Sequence, residues 1–267
     1  MNKSAADAFA AAYQSECAAE GRYGALRITG RTTRFLGSTL GLKAVVAVTG
    51  VVLFGFVLLH MLGNLKTFTG KDADGVPHID SYAHFLRTMG EPLLPHGFAL
   101  WTTRIVLLVA LVLHVAMVIR LGARNRAARP IGYHHRPDRE VSTAAARTML
   151  VSGLLLLVFV VVHVLQFTTG TIQITPIVPE QVYANLHGAF AVWFIGVFYI
   201  LAMGVLGFHL YHGVWSLFQT LGLDNPDRNR GLRLFAALAT VVVVLGFCSA
   251  PVLFYFGLLP EPPEAAP

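Results

Sequence analysis

The chain has 267 residues, of which 55% are hydrophobic and only 13% are charged. Soluble domains carry roughly 25% charged residues, so the composition excludes an ordinary soluble enzyme and indicates a protein that crosses a membrane several times. The net charge of +6 calls for no nucleic-acid partner, because basic loops at a membrane surface suit anionic lipid or an acidic soluble protein. The two cysteines, Cys17 and Cys248, lie far apart in the chain and are expected to be unpaired.

Five apolar segments follow a polar N-terminal arm, and each is long enough to span a bilayer as a helix. The predicted spans are Leu42–Leu65, Gly97–Leu121, Thr148–Thr169, Leu186–Leu221 and Leu232–Leu258. The fourth has length to spare, so we expect it to tilt or to project from the bilayer. The predicted fold is an all-α membrane protein, with an arm over residues 1–37, a five-helix bundle over residues 38–260 and a short tail over residues 261–267.

The distribution of basic residues predicts the orientation of this bundle. Sixteen of the 20 Lys and Arg residues precede the first segment, connect the second to the third or the fourth to the fifth, or lie one residue inside those segment ends. Loops rich in Lys and Arg stay on the cytoplasmic side. The N-terminus is therefore predicted to be cytoplasmic and the C-terminus outside, which independently supports an odd number of spans.

Each of the first four segments carries histidine within its apolar stretch: His60, His114, His163, and in the fourth both His209 and His212. An ionisable side chain inside a membrane helix is costly and is by default a functional hypothesis. At about 1.5 Å of rise per residue, His60 and His163 fall in the outer half of the bilayer, and His114 and His212 in the inner half. Two histidines at equal depth on different helices match a b-type haem with two axial imidazoles. The sequence thus predicts an outer haem and an inner haem.

Other assignments stay open for some of these residues. A single buried histidine can instead hydrogen bond a neighbouring helix, and zinc would need four ligands around one point. His209, one turn outward of His212, is an alternative ligand, or a residue that bonds a haem propionate, carries a proton or packs. Arg104, near Trp101 at the outer end of the second segment, suits either a haem propionate or lipid phosphate.

Over about residues 35–258, the chain resembles the single-chain, five-helix cytochrome b558 subunit of succinate dehydrogenase and fumarate reductase. The resemblance is carried by STLGLKAVVAVTG leading to HMLGN, by YAHFLRTMGEPLLP, by LHVAMVIRLGARNRAARPIGY and by YHGVWSLFQTLGL. It implies that His60, His114, His163 and, through the HG dipeptide, His212 are axial ligands of two haems b. It also implies a flavoprotein subunit and an iron–sulfur subunit on the cytoplasmic face of a bacterial inner membrane.

The function implied by this resemblance is electron transfer from the iron–sulfur subunit, through both haems, to a quinone, which we expect to be menaquinone. Succinate chemistry belongs to the flavoprotein. Quinone reduction needs a proton donor near the quinone oxygens, and the stretch before the second segment supplies a polar cluster: Tyr82, His84, Arg87, Glu91 and His96. Some related subunits carry an acidic residue two positions before the fourth-segment ligand. Here that position is Leu210, which argues against that proton route.

Three other functions are open at this stage. A cytochrome b subunit of a hydrogenase or formate dehydrogenase would share the haem spacing, although YHGVWSLFQTLGL favours the succinate dehydrogenase family. A transporter is disfavoured, because the apolar segments carry almost no acidic residues and show no inverted repeat. A haem-free structural anchor would use the histidines only for packing and hydrogen bonding.

Overall fold

The computed structural model describes residues 37–128, 144–225 and 229–262, together with Phe35. Within these ranges the chain is helical, without strands, and five helices are long and apolar enough to cross a membrane. This confirms the predicted fold class of an all-α protein with five spanning helices. Most of the predicted N-terminal arm, Cys17 and the end of the tail lie outside the described residues. The orientation and the division into arm, bundle and tail stay predictions.

The helices are numbered in chain order: α1 (Thr39–Asn64), α2 (His78–Thr88), α3 (Phe98–Ala127), α4 (Ala144–His163), α5 (Val182–Ala191), α6 (Trp193–Thr220) and α7 (Asn229–Tyr255). The spanning helices are α1, α3, α4, α6 and α7. A 3-10 turn, Leu65–Phe68, extends α1, and a π-helical turn, Val164–Thr168, extends α4. We call the end at which α1 begins and α6 ends the inner end of the bundle, after the orientation predicted above.

Local sequence explains where the first two spanning helices begin. The Ser38 hydroxyl accepts a hydrogen bond from the Gly41 N–H at 3.0 Å, which is the usual way a serine caps a helix N-terminus. Gly97 precedes α3 with a φ of +74°, a backbone conformation that glycine adopts without strain. Both helices therefore start within a few residues of the predicted positions.

The predicted fourth span, Leu186–Leu221, is wrong in one respect. The chain leaves the helical conformation at Val192, whose φ is −87° and ψ 110°, so α5 and α6 are separate helices. No proline or glycine occupies this position. Tertiary contacts hold the start of α5 at the outer end, where the Asp80 carboxylate accepts a hydrogen bond from the Tyr183 N–H at 2.9 Å.

Small residues allow the spanning helices to approach closely, as in many membrane bundles. In the described residues, α1 packs on α3 and α7, and α6 packs on α4 and α7. Gly246 of α7 faces Met61 of α1, and an ideal Cβ at Gly246 would lie 2.5 Å from the Met61 sulfur. Met61 is itself only 3% exposed, so the α1–α7 contact leaves no room for a methyl group at this glycine.

We expect Gly246→Ala to destabilise the bundle. Forcing an extra methyl group into a packed interior typically costs about 1–3 kcal/mol, and Met61 must move to accept it. The measurement is the apparent Tm of the detergent-solubilised protein. Gly231→Ala is the matched control, since it lies on the same helix and an ideal Cβ there meets nothing within 4 Å. An equal effect of both substitutions on Tm would contradict this account of the α1–α7 contact.

Candidate functional site

The two histidines predicted for the outer pair lie side by side. The ring centroids of His60 and His163 are 5.9 Å apart, with their planes at 73°. Each ring stacks on a phenylalanine one turn earlier in its own helix: Phe56 lies 5.3 Å from His60, and Phe159 lies 5.8 Å from His163. The ring of Phe247 on α7 lies 5.7 Å from His60. The structure thus brings α1, α4 and α7 together around two imidazoles in an aromatic environment.

A hydrogen-bonded chain leads away from His163. The His163 Nδ1 atom lies 3.2 Å from the Tyr199 hydroxyl, and this hydroxyl donates to the Gln166 side-chain oxygen at 3.0 Å. Gln166 is only 3% exposed and belongs to the π-helical turn that extends α4. Since the single phenolic proton points to Gln166, the Tyr199 oxygen must accept the Nδ1 proton of His163. The Nε2 atom of His163 is therefore unprotonated.

His114 on α3 is held by the inner part of α1. Its Nδ1 atom lies 3.0 Å from the Thr49 hydroxyl, and that hydroxyl donates to the Val45 carbonyl at 2.7 Å. The Thr49 oxygen therefore accepts the Nδ1 proton, and Nε2 is again free. The His114 ring also lies over Gly50, where an ideal Cβ would be 3.5 Å from Cε1.

His209 on α6 is held by the inner part of α4 in the same way. Its Nδ1 atom lies 3.2 Å from the Ser152 hydroxyl, which donates to the Met149 carbonyl at 3.1 Å. An ideal Cβ at Gly153 would be 3.4 Å from the His209 Cε1 atom. His114 and His209 thus have matching supports: a hydroxyl on Nδ1 and a glycine under the ring.

This match reflects an internal repeat that the sequence analysis missed. The stretch TGVVLFGFVLLH begins at Thr49, and SGLLLLVFVVVH begins at Ser152. The hydroxyl residue, the glycine, the phenylalanine and the final histidine occupy the same positions in both. In each copy, the first two residues support a histidine on another helix, and the last residue joins the outer pair. Aligning the first and third apolar segments would have revealed it.

His212, the residue preferred from the sequence, has no such support. Its Nδ1 atom is buried and has no hydrogen-bond partner among the described residues. Its ring lies 6.1 Å from the Trp215 ring, at a right angle. His209 lies within electrostatic range of both His114 and His212. All three inner histidines are therefore neighbours, but the structure orients His114 and His209 as a matched pair.

The remaining predicted site residues are dispersed at the outer end. The Arg104 side chain is exposed, and its guanidinium lies 4.9 Å from the centroid of the Trp101 ring, an arrangement suited to the lipid–water boundary. Arg87 donates to the Ala83 carbonyl at 3.0 Å and lies 3.9 Å from the Glu180 carboxylate.

The other members of the predicted polar cluster also have different surroundings. Tyr82 packs against Gly63 of α1, where an ideal Cβ would meet its ring at 2.8 Å. His96 Nδ1 lies 2.9 Å from the Glu91 carboxylate, and His84 is exposed. Tyr82 thus contacts α1 at Gly63, three residues past His60.

An outer cap joins α2, α5 and the end of the chain. Besides the Asp80–Tyr183 backbone bond, the Tyr183 hydroxyl donates to the Pro260 carbonyl at 2.8 Å. Partial burial raises the pKa of Asp80, although the backbone N–H groups of Tyr183 and Val182 oppose this shift. Burial and the nearby Glu261 carboxylate raise the pKa of Tyr183, so its phenol stays protonated and able to donate.

Comparison with known proteins gives one match to a family. The family model described as succinate dehydrogenase/fumarate reductase transmembrane subunit matches residues 125–247. The match begins near the end of α3 and includes α4, α5, α6 and most of α7, with His163, His209 and His212. The match supports the resemblance to membrane-anchor subunits of this family over just under half of the chain. Neither the curated proteins nor the solved structures include a significant match.

The described residues contain no group of three or more His, Cys, Asp or Glu side chains arranged to hold a bare metal ion. A haem iron bound by two axial imidazoles takes only two ligands from the protein. The relevant observations for the histidine pairs are therefore the distance between the two rings and the tautomer of each ring.

For the outer cap, we expect Asp80→Ala to lower the Tm of the detergent-solubilised protein, because the Tyr183 N–H loses its acceptor. A lost cap of this kind costs about 1 kcal/mol. Asp80→Asn is the matched variant and should preserve stability, since its amide oxygen still accepts this bond.

The same pair of variants tests the raised pKa of Asp80. A folded state that raises the pKa of a carboxyl binds its proton more tightly than the unfolded chain. Its contribution to stability therefore falls as pH rises from about 3.9, the ordinary value, through the raised folded pKa. This part of the pH dependence of Tm should be absent from Asp80→Asn. Equal loss of stability in both variants would show that the charge, and not the acceptor, matters.

Proposed function

We propose that the chain is a membrane-anchor subunit of the succinate dehydrogenase/fumarate reductase family, whose model matches residues 125–247, and that it binds two haems b and conducts electrons from an iron–sulfur subunit to a membrane quinone. The observation that carries this proposal is the hydrogen bonding of three half-buried histidines. His114, His163 and His209 each donate Nδ1–H to a hydroxyl group, which leaves Nε2 as a free base. Histidines that bind metals commonly donate their other ring N–H to such a partner.

The outer axial pair in this proposal is His60 with His163. Imidazole nitrogens bind transition metals at about 2 Å, so two imidazoles on opposite sides of one iron have centroids roughly 6 Å apart. The observed separation of 5.9 Å suits that arrangement. The Tyr199–Gln166 chain then fixes the rotation and the tautomer of His163.

The inner axial pair in this proposal is His114 with His209, which departs from the sequence-based choice of His212. The two helix pairs, α1 with α3 and α4 with α6, present these histidines through equivalent contacts. Thr49 and Ser152 fix Nδ1, and Gly50 and Gly153 let each ring lie against the supporting helix. An ideal Cβ at either glycine already reaches van der Waals contact with the ring, so a side chain larger than alanine would crowd it.

The chain itself supplies ligands, spacing and a water-poor interior, while haem supplies one-electron chemistry when bound. Succinate oxidation or fumarate reduction belongs to a flavoprotein subunit. We propose that this flavoprotein and the iron–sulfur subunit associate with the inner end, where Arg120, Arg126 and Arg230 are exposed. A bacterial inner membrane and menaquinone complete this assignment.

The quinone site is proposed at the outer end, near the outer pair. Within the predicted cluster, Tyr82 is the favoured proton donor, because it packs on Gly63 just past His60. The Lys66 ammonium group lies 5.6 Å from the centroid of the Tyr82 ring. Arg87 donates to the Ala83 carbonyl within α2, and the Glu91–His96 pair lies in the connection between α2 and α3. We assign those three residues to shaping the site, and His84 to its exposed rim.

Substituting each histidine should give a defined haem content. We expect His60→Ala and His163→Ala to lose the outer haem, and His114→Ala and His209→Ala to lose the inner haem, because each change removes an axial nitrogen. His212→Ala should retain two haems. The measurement is a pyridine-haemochrome assay with a reduced-minus-oxidised spectrum of the purified membrane complex.

The same assay can give results that contradict this assignment. Two haems in His209→Ala and one in His212→Ala would restore the sequence-based assignment of the inner pair. A wild-type complex without haem would make the chain a structural anchor whose histidines serve only hydrogen bonding and packing.

A second prediction concerns the chain of hydrogen bonds behind the outer pair. In Tyr199→Phe, His163 loses its acceptor, so its Nε2 becomes a weaker base and the ferric iron is less stabilised. We expect the midpoint potential of the outer haem to rise and haem affinity to fall roughly 10- to 100-fold, with the inner haem unchanged. Tyr183→Phe is the control, since its hydroxyl bonds a carbonyl remote from the histidines. A shift of both potentials would argue for general loosening of the bundle.

A further inference from the structure

Two polar nitrogen atoms near the inner end of α6 lack partners. The Nδ1 atom of His212 and the Nε1 atom of Trp215 are both buried, and neither has a hydrogen-bond partner among the described residues. Trp215 is only 6% exposed. An indole N–H can only donate, and a buried donor without an acceptor costs about 1–3 kcal/mol. Trp215 therefore lacks an acceptor and His212 lacks a partner for Nδ1, and the described side chains provide neither.

A cation lies beside the same two residues. The guanidinium carbon of Arg233 on α7 is 4.2 Å from the centroid of the Trp215 ring. The Arg233 Nε atom donates to the Asn229 side-chain oxygen at 2.8 Å, which leaves the terminal nitrogens for another acceptor. No acidic side chain in the described residues forms an ion pair with Arg233. Asp224, the nearby acid in the chain, accepts from Gln219 at 3.1 Å.

The position of this group relates it to the inner histidine pair. His212 lies one turn inward of His209, a distance of about 4.5 Å along α6, and Trp215 lies one turn further. The Trp215 ring lies 6.1 Å from the His212 ring and 4.2 Å from the Arg233 guanidinium. An indole N–H beside a guanidinium, with an imidazole nitrogen able to donate in one tautomer, favours an anionic oxygen over a neutral one, because charge-assisted hydrogen bonds are about twice as strong as neutral ones. Within the membrane interior next to a haem b, the ionised oxygens that come with the cofactor are those of its propionates.

We propose that His212, Trp215 and Arg233 form a carboxylate site that binds a propionate of the inner haem. This inference rests on the proposed function. His212 and Trp215 donate through Nδ1 and Nε1, and Arg233 balances the charge. The site explains why two histidines occur one turn apart on α6: His209 binds the iron, and His212 holds the edge of the macrocycle.

The test is a potentiometric titration of both haems in the purified wild-type complex and in Trp215→Phe and Arg233→Gln. Phenylalanine keeps an aromatic ring but removes the N–H, and glutamine removes the positive charge. Each change removes a group that offsets the negative charge of the propionate, and a less compensated negative charge stabilises ferric iron. We expect the midpoint potential of the inner haem to fall in both variants, and that of the outer haem to stay the same. Trp193→Phe, at the exposed outer end of α6, is the control and should shift neither.

The outcomes separate this inference from the proposed function. Two haems in every variant with unchanged potentials, or equal shifts of both haems, would overturn the carboxylate site while leaving the haem assignment intact. Absence of two haems from the wild-type complex would overturn the proposed function itself. Repeating the titration on quinone-depleted complex distinguishes the other source of acceptor oxygens. A shift that disappears on depletion would assign the site to a quinone carbonyl and overturn the propionate, and a shift that persists supports it.

Discussion

The bundle depends on satisfying the polar nitrogens of imidazole rings inside an apolar interior. An imidazole carries one donor and one acceptor in its neutral form, and the membrane offers neither partner. The protein meets half of this requirement with its own hydroxyls, at Thr49, Ser152 and Tyr199. The unmet half is an unprotonated Nε2 on each of these three rings, the atom that we propose binds haem iron. Helix packing, glycine placement and aromatic stacking all position these few atoms.

The sequence predicts well those features that depend only on position along the chain. Segment length predicts five spans, and the rise per residue predicts which histidines share a depth; the structure brings His60 and His163 together accordingly. The choice between His209 and His212 cannot be made in this way, because the two residues differ by one turn in depth and by only about 60° around the helix. Choosing between them requires knowing that Ser152 and Gly153 lie beside one and not the other.

Features that arise from tertiary contacts were beyond sequence reasoning for identifiable reasons. The break at Val192 has no proline or glycine to mark it, because apolar residues continue through it, and the sequence does not reveal the bond by which Asp80 holds the start of α5 at Tyr183. The polar cluster before α3 was grouped by its proximity in the chain. Residues of a short helix point in different directions, so Tyr82 faces α1 while Arg87 reaches toward Glu180.

The internal repeat has a mechanical consequence. Helix α1 carries His60 in one pair and supports a member of the other pair through Thr49, and α4 does the same with His163 and Ser152. A slide of either helix by one residue, about 1.5 Å, would misplace both pairs together. The positions of the two histidine pairs are therefore mechanically linked through α1 and α4.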